Sequence, residues 1–140
     1  MWLPGVITSE NELPAPEIYR LFALRLAARI ERGGVSFVAQ ATDPLCADIF
    51  LLLEAFSADQ DLQKKLPGVR QSLHRFYQQT TRLRPPLPSF SATRRPLETF
   101  YRSLLSGEAE IYTSTPAESL SKAQQLLHEF SPYSVRGWST

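Results

Sequence analysis

The side chains able to do covalent or acid–base chemistry are few: Cys46, His74, His128 and the close carboxylates Glu108 and Glu110. Cys46 would act as a nucleophile only with a base beside it, and no motif ties it to either histidine. Its setting, LCADIFLLL, predicts a buried structural thiol. A single cysteine excludes a disulfide framework and a multi-cysteine zinc site, and the two histidines have no ligand spacing. In GEAEIY, Glu108 and Glu110 point the same way from an extended stretch. General acid–base work also needs a pocket that lifts one carboxyl, and nothing in the sequence implies one. P-loop, GxGxxG, GxSxG and HExxH patterns are missing. The expectation is a protein that is not an enzyme, with no catalytic, cofactor-binding or metal-binding residue.

The arginines carry more information. There are twelve against three lysines, and charge is sorted along the chain. Between Gly33 and Gln63 the charged residues are Asp43, Asp48, Glu54, Asp59 and Asp61. From Lys64 to Arg102 they are Lys64, Lys65, Arg70, Arg75, Arg82, Arg84, Arg94, Arg95 and Arg102, with Glu98 the sole acid. Arginine's planar fork suits carboxylates and phosphates and stacks on aromatic rings. Arg25, Arg29 and Arg32 form a ridge on the first helix, expected to meet Asp43, Asp48 or Glu54 in surface pairs worth about 0–1 kcal/mol each. That leaves the proline-rich break RLRPPLPSFSATRRP, residues 82–96, as the unpaired basic stretch. The expected docking residues are Arg75, Arg82, Arg84, Pro85, Pro88, Phe90, Arg94, Arg95 and Arg102, facing an acidic protein surface. Interleaved aromatics (Phe76, Tyr77, Phe90, Phe100, Tyr101) make nucleic acid the rival partner. The overall pI of about 7.9 argues against it.

Within the break, RLRPPLP resembles a ligand of the Src-homology-type polyproline-reading domains. Arg82, Pro85 and Pro88 fit the three-residue spacing of a polyproline II helix. Arg84 departs from that pattern, where an apolar residue is usual. The other reading of the same residues is a stiff spacer between helices. ARIERG, residues 28–33, with Pro44 and LLLEAF resembles the back half of a repressor-type helix-turn-helix domain. Only one helix precedes it and the spacing to Pro44 is too long, so no DNA-contact residue is carried over.

These residues must be positioned by helices. The period predicts one over about 16–32, with Pro16 in the first turn and Gly33-Gly34 as the stop. Ile18, Phe22, Leu26 and Ile30 form one apolar row; Leu21, Leu24 and Ala28 form another. That pattern predicts a helix that is central or covered on two sides. Residues 35–40 are an apolar run that period cannot assign. Asp43-Pro44 opens a second helix to about Phe56, with Ile49, Leu52, Leu53 and Phe56 facing in. Ser57 and Gln60 match a capping box and predict a separate short helix over 58–66. A further helix spans about 69–83 on the stripe Val69, Leu73, Phe76, Tyr77, Thr80 and Leu83, ended by Pro85-Pro86. Pro96 to Gly107 makes the next, on Leu97, Phe100, Tyr101 and Leu104. EAEIYTS is a turn or an isolated strand. Thr115-Pro116 with Glu118 caps the last helix, which runs to about Phe130 on Leu120, Ala123, Leu127 and Phe130.

With 43% hydrophobic and 21% charged residues in 140, net charge +1, the chain has the composition of one globular domain. The expected class is all-α: five to six short helices with a Pro/Arg-rich loop at about 84–95. Residues 1–14 form an extended arm, 15–130 the domain and 131–140 a tail. No segment has the length of a membrane span and no signal peptide is visible, so the expected location is cytoplasmic. The expected function is a protein–protein interaction module: an adaptor, assembly factor or accessory subunit.

Overall fold

The computed structural model describes residues 14–130. The expected arm over 1–14 and the tail over 131–140 therefore lie outside the described residues, apart from Pro14. Six α-helices and no strand occur among the described residues, as expected for an all-α chain. They are α1 (Ala15–Arg32), α2 (Val35–Val38), α3 (Pro44–Lys65), α4 (Arg70–Leu83), α5 (Arg95–Ser106) and α6 (Pro116–Phe130). Short 3-10 turns, Pro67–Val69 and Leu87–Ser89, join α3 to α4 and α4 to α5.

Several boundaries follow from their sequence signals. Asp43 Oδ1 accepts from the amides of Leu45 at 2.7 Å and Cys46 at 3.3 Å, capping α3 over Pro44. Thr115 Oγ1 accepts from the Glu118 amide at 3.2 Å, while Glu118 reaches back to the Ser114 amide. Gly33 and Gly107 end α1 and α5 in the left-handed region, at φ 72° and 86°. Residues 107–115 are irregular, so EAEIYTS makes no strand.

α3 departs from expectation because it does not break at Ser57. One helix runs through to Lys65. Ser57 is fully buried, and its hydroxyl accepts from the Thr113 amide at 3.0 Å rather than capping a new helix. Gln60 turns to the Ile111 carbonyl. Both side chains serve the 107–115 segment, so the helix period continues uninterrupted.

α3, and not α1, is the central helix. It packs against α1, α2, α5 and α6 and buries Phe50 as well as Ile49, Leu53 and Phe56. One apolar cluster joins Ile49, Phe50 and Leu53 to Leu97 of α5 and to Ala123 and Leu126 of α6. A second joins Leu21 of α1 to Leu62, Val69 and Leu73. α1 is covered on one side only. Leu21 is its sole fully buried residue; Leu26 and Ile30 face outward, and Phe22, also exposed, sets its ring edge-on to Phe76 of α4. Leu83, expected on the core stripe of α4, is also exposed.

Between the two clusters runs a buried polar seam. The Arg32 guanidinium donates from Nε and Nη2 to the two Glu54 oxygens at 3.1 and 2.8 Å, and from Nη1 to Asp61 at 3.2 Å. Nη2 also reaches Thr113 Oγ1 at 3.0 Å, and Ser119 donates to Glu54. The buried Glu54 is thereby paired, as a low-dielectric interior demands. The arginine ridge does meet α3, but inside the protein. Arg25 chelates Asp59 at 2.9 and 3.0 Å, and Tyr77 donates a third bond to the same carboxylate. Asp43 and Asp48 are used elsewhere.

Candidate functional site

The Pro/Arg-rich loop is where the sequence pointed, and most of its arginines already have work to do. Arg84 grips Glu98 with two parallel bonds of 2.9 and 2.6 Å, the bidentate geometry that favours arginine over lysine. Its guanidinium also lies 5.1 Å from the Tyr101 ring centroid and 5.5 Å from that of Phe90. Arg102 donates at 2.7 Å to Glu98 Oε2, which it shares with Arg84 Nε, and also to the Pro85 carbonyl. Arg94 pairs with Asp48 of α3 at 2.7 Å. Arg95 donates to the carbonyls of Phe90 and Pro88 at 3.0 and 3.3 Å. Arg75 and Arg82 ride on α4. The loop is thus not the unpaired basic remainder expected from charge sorting. Glu98, one acid on the next helix, organises most of it.

Burial works to raise the Glu98 carboxyl. The bonds from Arg84 and Arg102 outweigh it and hold the group below its ordinary value of 4.5. The same bonds tie the loop to α5, leaving Pro85 and Pro88 exposed and Phe90 half-buried. The polyproline resemblance does not extend to conformation. Arg82 belongs to the last turn of α4, and a 3-10 turn begins at Leu87, so Arg82, Pro85 and Pro88 do not share a polyproline II helix.

The residues with chemical potential are likewise separate. Cys46 is buried, and burial, then Asp43, raises its thiol, the state of an inert cysteine. His74 and His128 are exposed on α4 and α6. Among the described residues no group of three or more His, Cys, Asp or Glu is placed to hold a metal ion.

A different feature emerges beside the loop. A groove of about 310 Å³ opens between α1, α3, α4 and α5. Phe56, Phe76, Tyr77 and Tyr101 supply its aromatic surface, and Arg29, Asp48 and Leu51 also line it. The loop buttresses one edge, since Arg84 stacks on Tyr101 and Arg94 holds Asp48. Arg25 lies 5.0 Å over the Phe76 ring, its charge answered by Asp59. Arg29 has no such answer. Among the described residues no carboxylate forms an ion pair with it, and desolvation, then the neighbouring Arg25 cation, depresses its guanidinium below the ordinary 12.5 against the attraction of the more distant Asp59. It remains a cation at neutral pH. Leu51, on the helix that is otherwise central, is 52% exposed.

Sequence placed Arg29 on the ridge but could not single it out, because which arginine stays unpaired depends on where α3 presents Asp59 and Glu54. Leu51 gave no signal, being one leucine in LLLEAF. No protein-family model, curated protein or solved structure matches this chain.

Proposed function

We propose that the protein is a non-enzymatic helical interaction module of the cytoplasm, an adaptor or accessory subunit. It takes a partner segment carrying a carboxylate among apolar side chains. The observation that carries this reading is the groove beside Arg29: an aromatic surface, an exposed Leu51, and one cation that no carboxylate pairs with among the described residues. Asp48 and Asp59 are each engaged by an arginine, so the groove keeps a surplus positive charge. A carboxylate offered to Arg29 there would gain a charge-assisted bond, and apolar neighbours of that carboxylate would cover Leu51 and the rings. Aromatic and arginine side chains of this kind dominate interface energetics. The Pro/Arg-rich loop enters this reading as the support of the groove's edge, through Arg84 on Tyr101 and Arg94 on Asp48.

Selection from a displayed peptide library tests it. The unmodified chain should enrich segments with Asp or Glu flanked by Leu, Phe or Trp, and both R29E and L51D should lose that enrichment while circular dichroism stays helical. Equal enrichment on R29E would remove the groove from the reading. The nucleic-acid alternative has its own signature in a gel-shift series, a steep loss of binding as salt rises.

A further inference from the structure

The outward face of α1 is apolar, and among the described residues its one aromatic cover is Phe76 of α4, whose ring meets that of Phe22 edge-on at 5.5 Å. Tyr19 is 51% exposed, Phe22 45%, Leu26 59% and Ile30 64%. Three- and four-residue spacings align them in one stripe along the helix, on the side away from α3. Scattered apolar residues on a surface need no explanation, but a continuous row of large ones marks a face that something covers.

We propose that residues 1–13 fold back along α1 and cover this row in cis. The row adjoins the groove only at Phe22, whose ring meets Phe76; Tyr19, Leu26 and Ile30 do not line the groove.

Reach permits it. Residue 13 adjoins Pro14 at the start of α1, and 13 residues extended span up to about 43–47 Å. The 18-residue helix is about 27 Å long.

Composition fits the row. Ile7 and Val6 lie seven and eight residues before Pro14, about 23–29 Å of extended chain, which a returning segment lays beside Ile30; a turn at Pro4-Gly5 brings Trp2 and Leu3 back toward Leu26. The same Pro4-Gly5 pair disfavours a helix in the segment itself.

Charge fits the near end. Residues 1–13 contain Glu10 and Glu12 and no lysine or arginine. Among the described residues no side chain caps the first turn of α1, and carboxylates are favoured beside the unbonded amides and positive dipole of a helix start.

The other uncovered segment is poorly placed to compete. α6 ends at Phe130, whose ring packs on Phe100 of α5 at 5.7 Å, whereas α1 packs on α3 and α4.

The chain supplies its own reporter. Its two tryptophans are Trp2 and Trp138, so W138F leaves Trp2 as the only indole. In that variant the emission should lie at shorter wavelength than that of a synthetic peptide of residues 1–13. Acrylamide should quench it several-fold less, and neither property should change on serial dilution. L26D with I30D should return the emission to that of the peptide while helicity is unchanged. Peptide-like emission from W138F overturns the proposal. Protection that disappears on dilution also overturns it and gives the row to a second copy of the chain. Protection that survives L26D with I30D overturns it by putting Trp2 elsewhere. Should W138F fail to fold, hydrogen exchange on the unmodified chain reads the same point: slowed amides over 5–10 that speed up in L26D with I30D. R29E, which tests the groove, should leave Trp2 emission unchanged.

Discussion

Gly34 shows how tightly single positions are set. Its φ is −76°, so the residue needs no left-handed freedom. What it needs is space. A Cβ there would come within 2.7 Å of Glu54 Oε1, and Glu54 cannot yield freely because Arg32 and Ser119 hold both of its oxygens. Gly34→Ala should therefore cost about 1–3 kcal/mol, the range for overpacking a filled interior, measured by urea denaturation. Gly68 is the control, with nothing within 4 Å of its Cβ direction. Gly68→Ala should be neutral or stabilise by about 0.4–1 kcal/mol through the unfolded chain. Equal losses at both sites would mean that Glu54 can move aside. From sequence, Gly33-Gly34 reads simply as a helix stop. That reading holds for Gly33, but the reason for Gly34 lies on α3, twenty residues away.

Among the elements, those fixed by local chemistry were legible and those fixed by tertiary demand were not. The Asp43 cap and the Thr115–Glu118 box placed the starts of α3 and α6, and the glycines Gly33 and Gly107 the ends of α1 and α5. Ser57 and Gln60 formed an equally good capping box, yet their side chains bond the 107–115 segment, and α3 runs on. The loop was legible as proline-bound and arginine-rich, but charge sorting called it unpaired because Glu98 had to be shared by Arg84 and Arg102 for that to be false. This pin makes a testable statement. Glu98 is 4% exposed, and its folded-state carboxyl lies below 4.5. A depressed acid stabilises the fold above its unfolded value and loses that contribution as pH falls through the folded value. The unmodified chain should therefore lose stability on acidification below about pH 4.5, and Glu98→Gln should be less stable at pH 7 with a shallower acid limb. Arg84→Ala leaves Arg102 on Glu98, so its cost should fall below the roughly 3–5 kcal/mol of a stripped buried charge. Faster amide exchange over residues 84–95 should accompany it. An unchanged acid limb in Glu98→Gln would show that the pin does not govern the loop.

At the scale of the molecule, the helices are not held by equal means. α3, α5 and α6 share an apolar cluster with Ile49, Phe50, Leu53 and Ala123 at or near zero exposure. α1 contributes Leu21 to the second cluster, with the partly buried Ile18, Leu24 and Ala28 packed on it, and its buried ties to α3 are the pairs Arg25–Asp59 and Arg32–Glu54. The side chains of these pairs are 15% and 1% exposed, and 6% and 8% exposed, so solvent screens them little, unlike surface pairs. Removing both arginines would strand Asp59 and Glu54 while α3 kept its apolar contacts. Cooperative units that lean on few apolar contacts open first. Arg25→Ala with Arg32→Ala should therefore raise amide exchange throughout α1 by orders of magnitude, with α3 and α6 still protected. If protection fell equally in α1, α3 and α6, the polar seam would be part of a single cooperative unit. If it fell in none, Leu21 and its neighbours would suffice to hold α1, and the buried pairs would serve only to fix its register. The selective outcome ties the fold to the proposed function, because Arg29 sits on the helix that this seam fastens, and the groove loses one wall whenever α1 lifts.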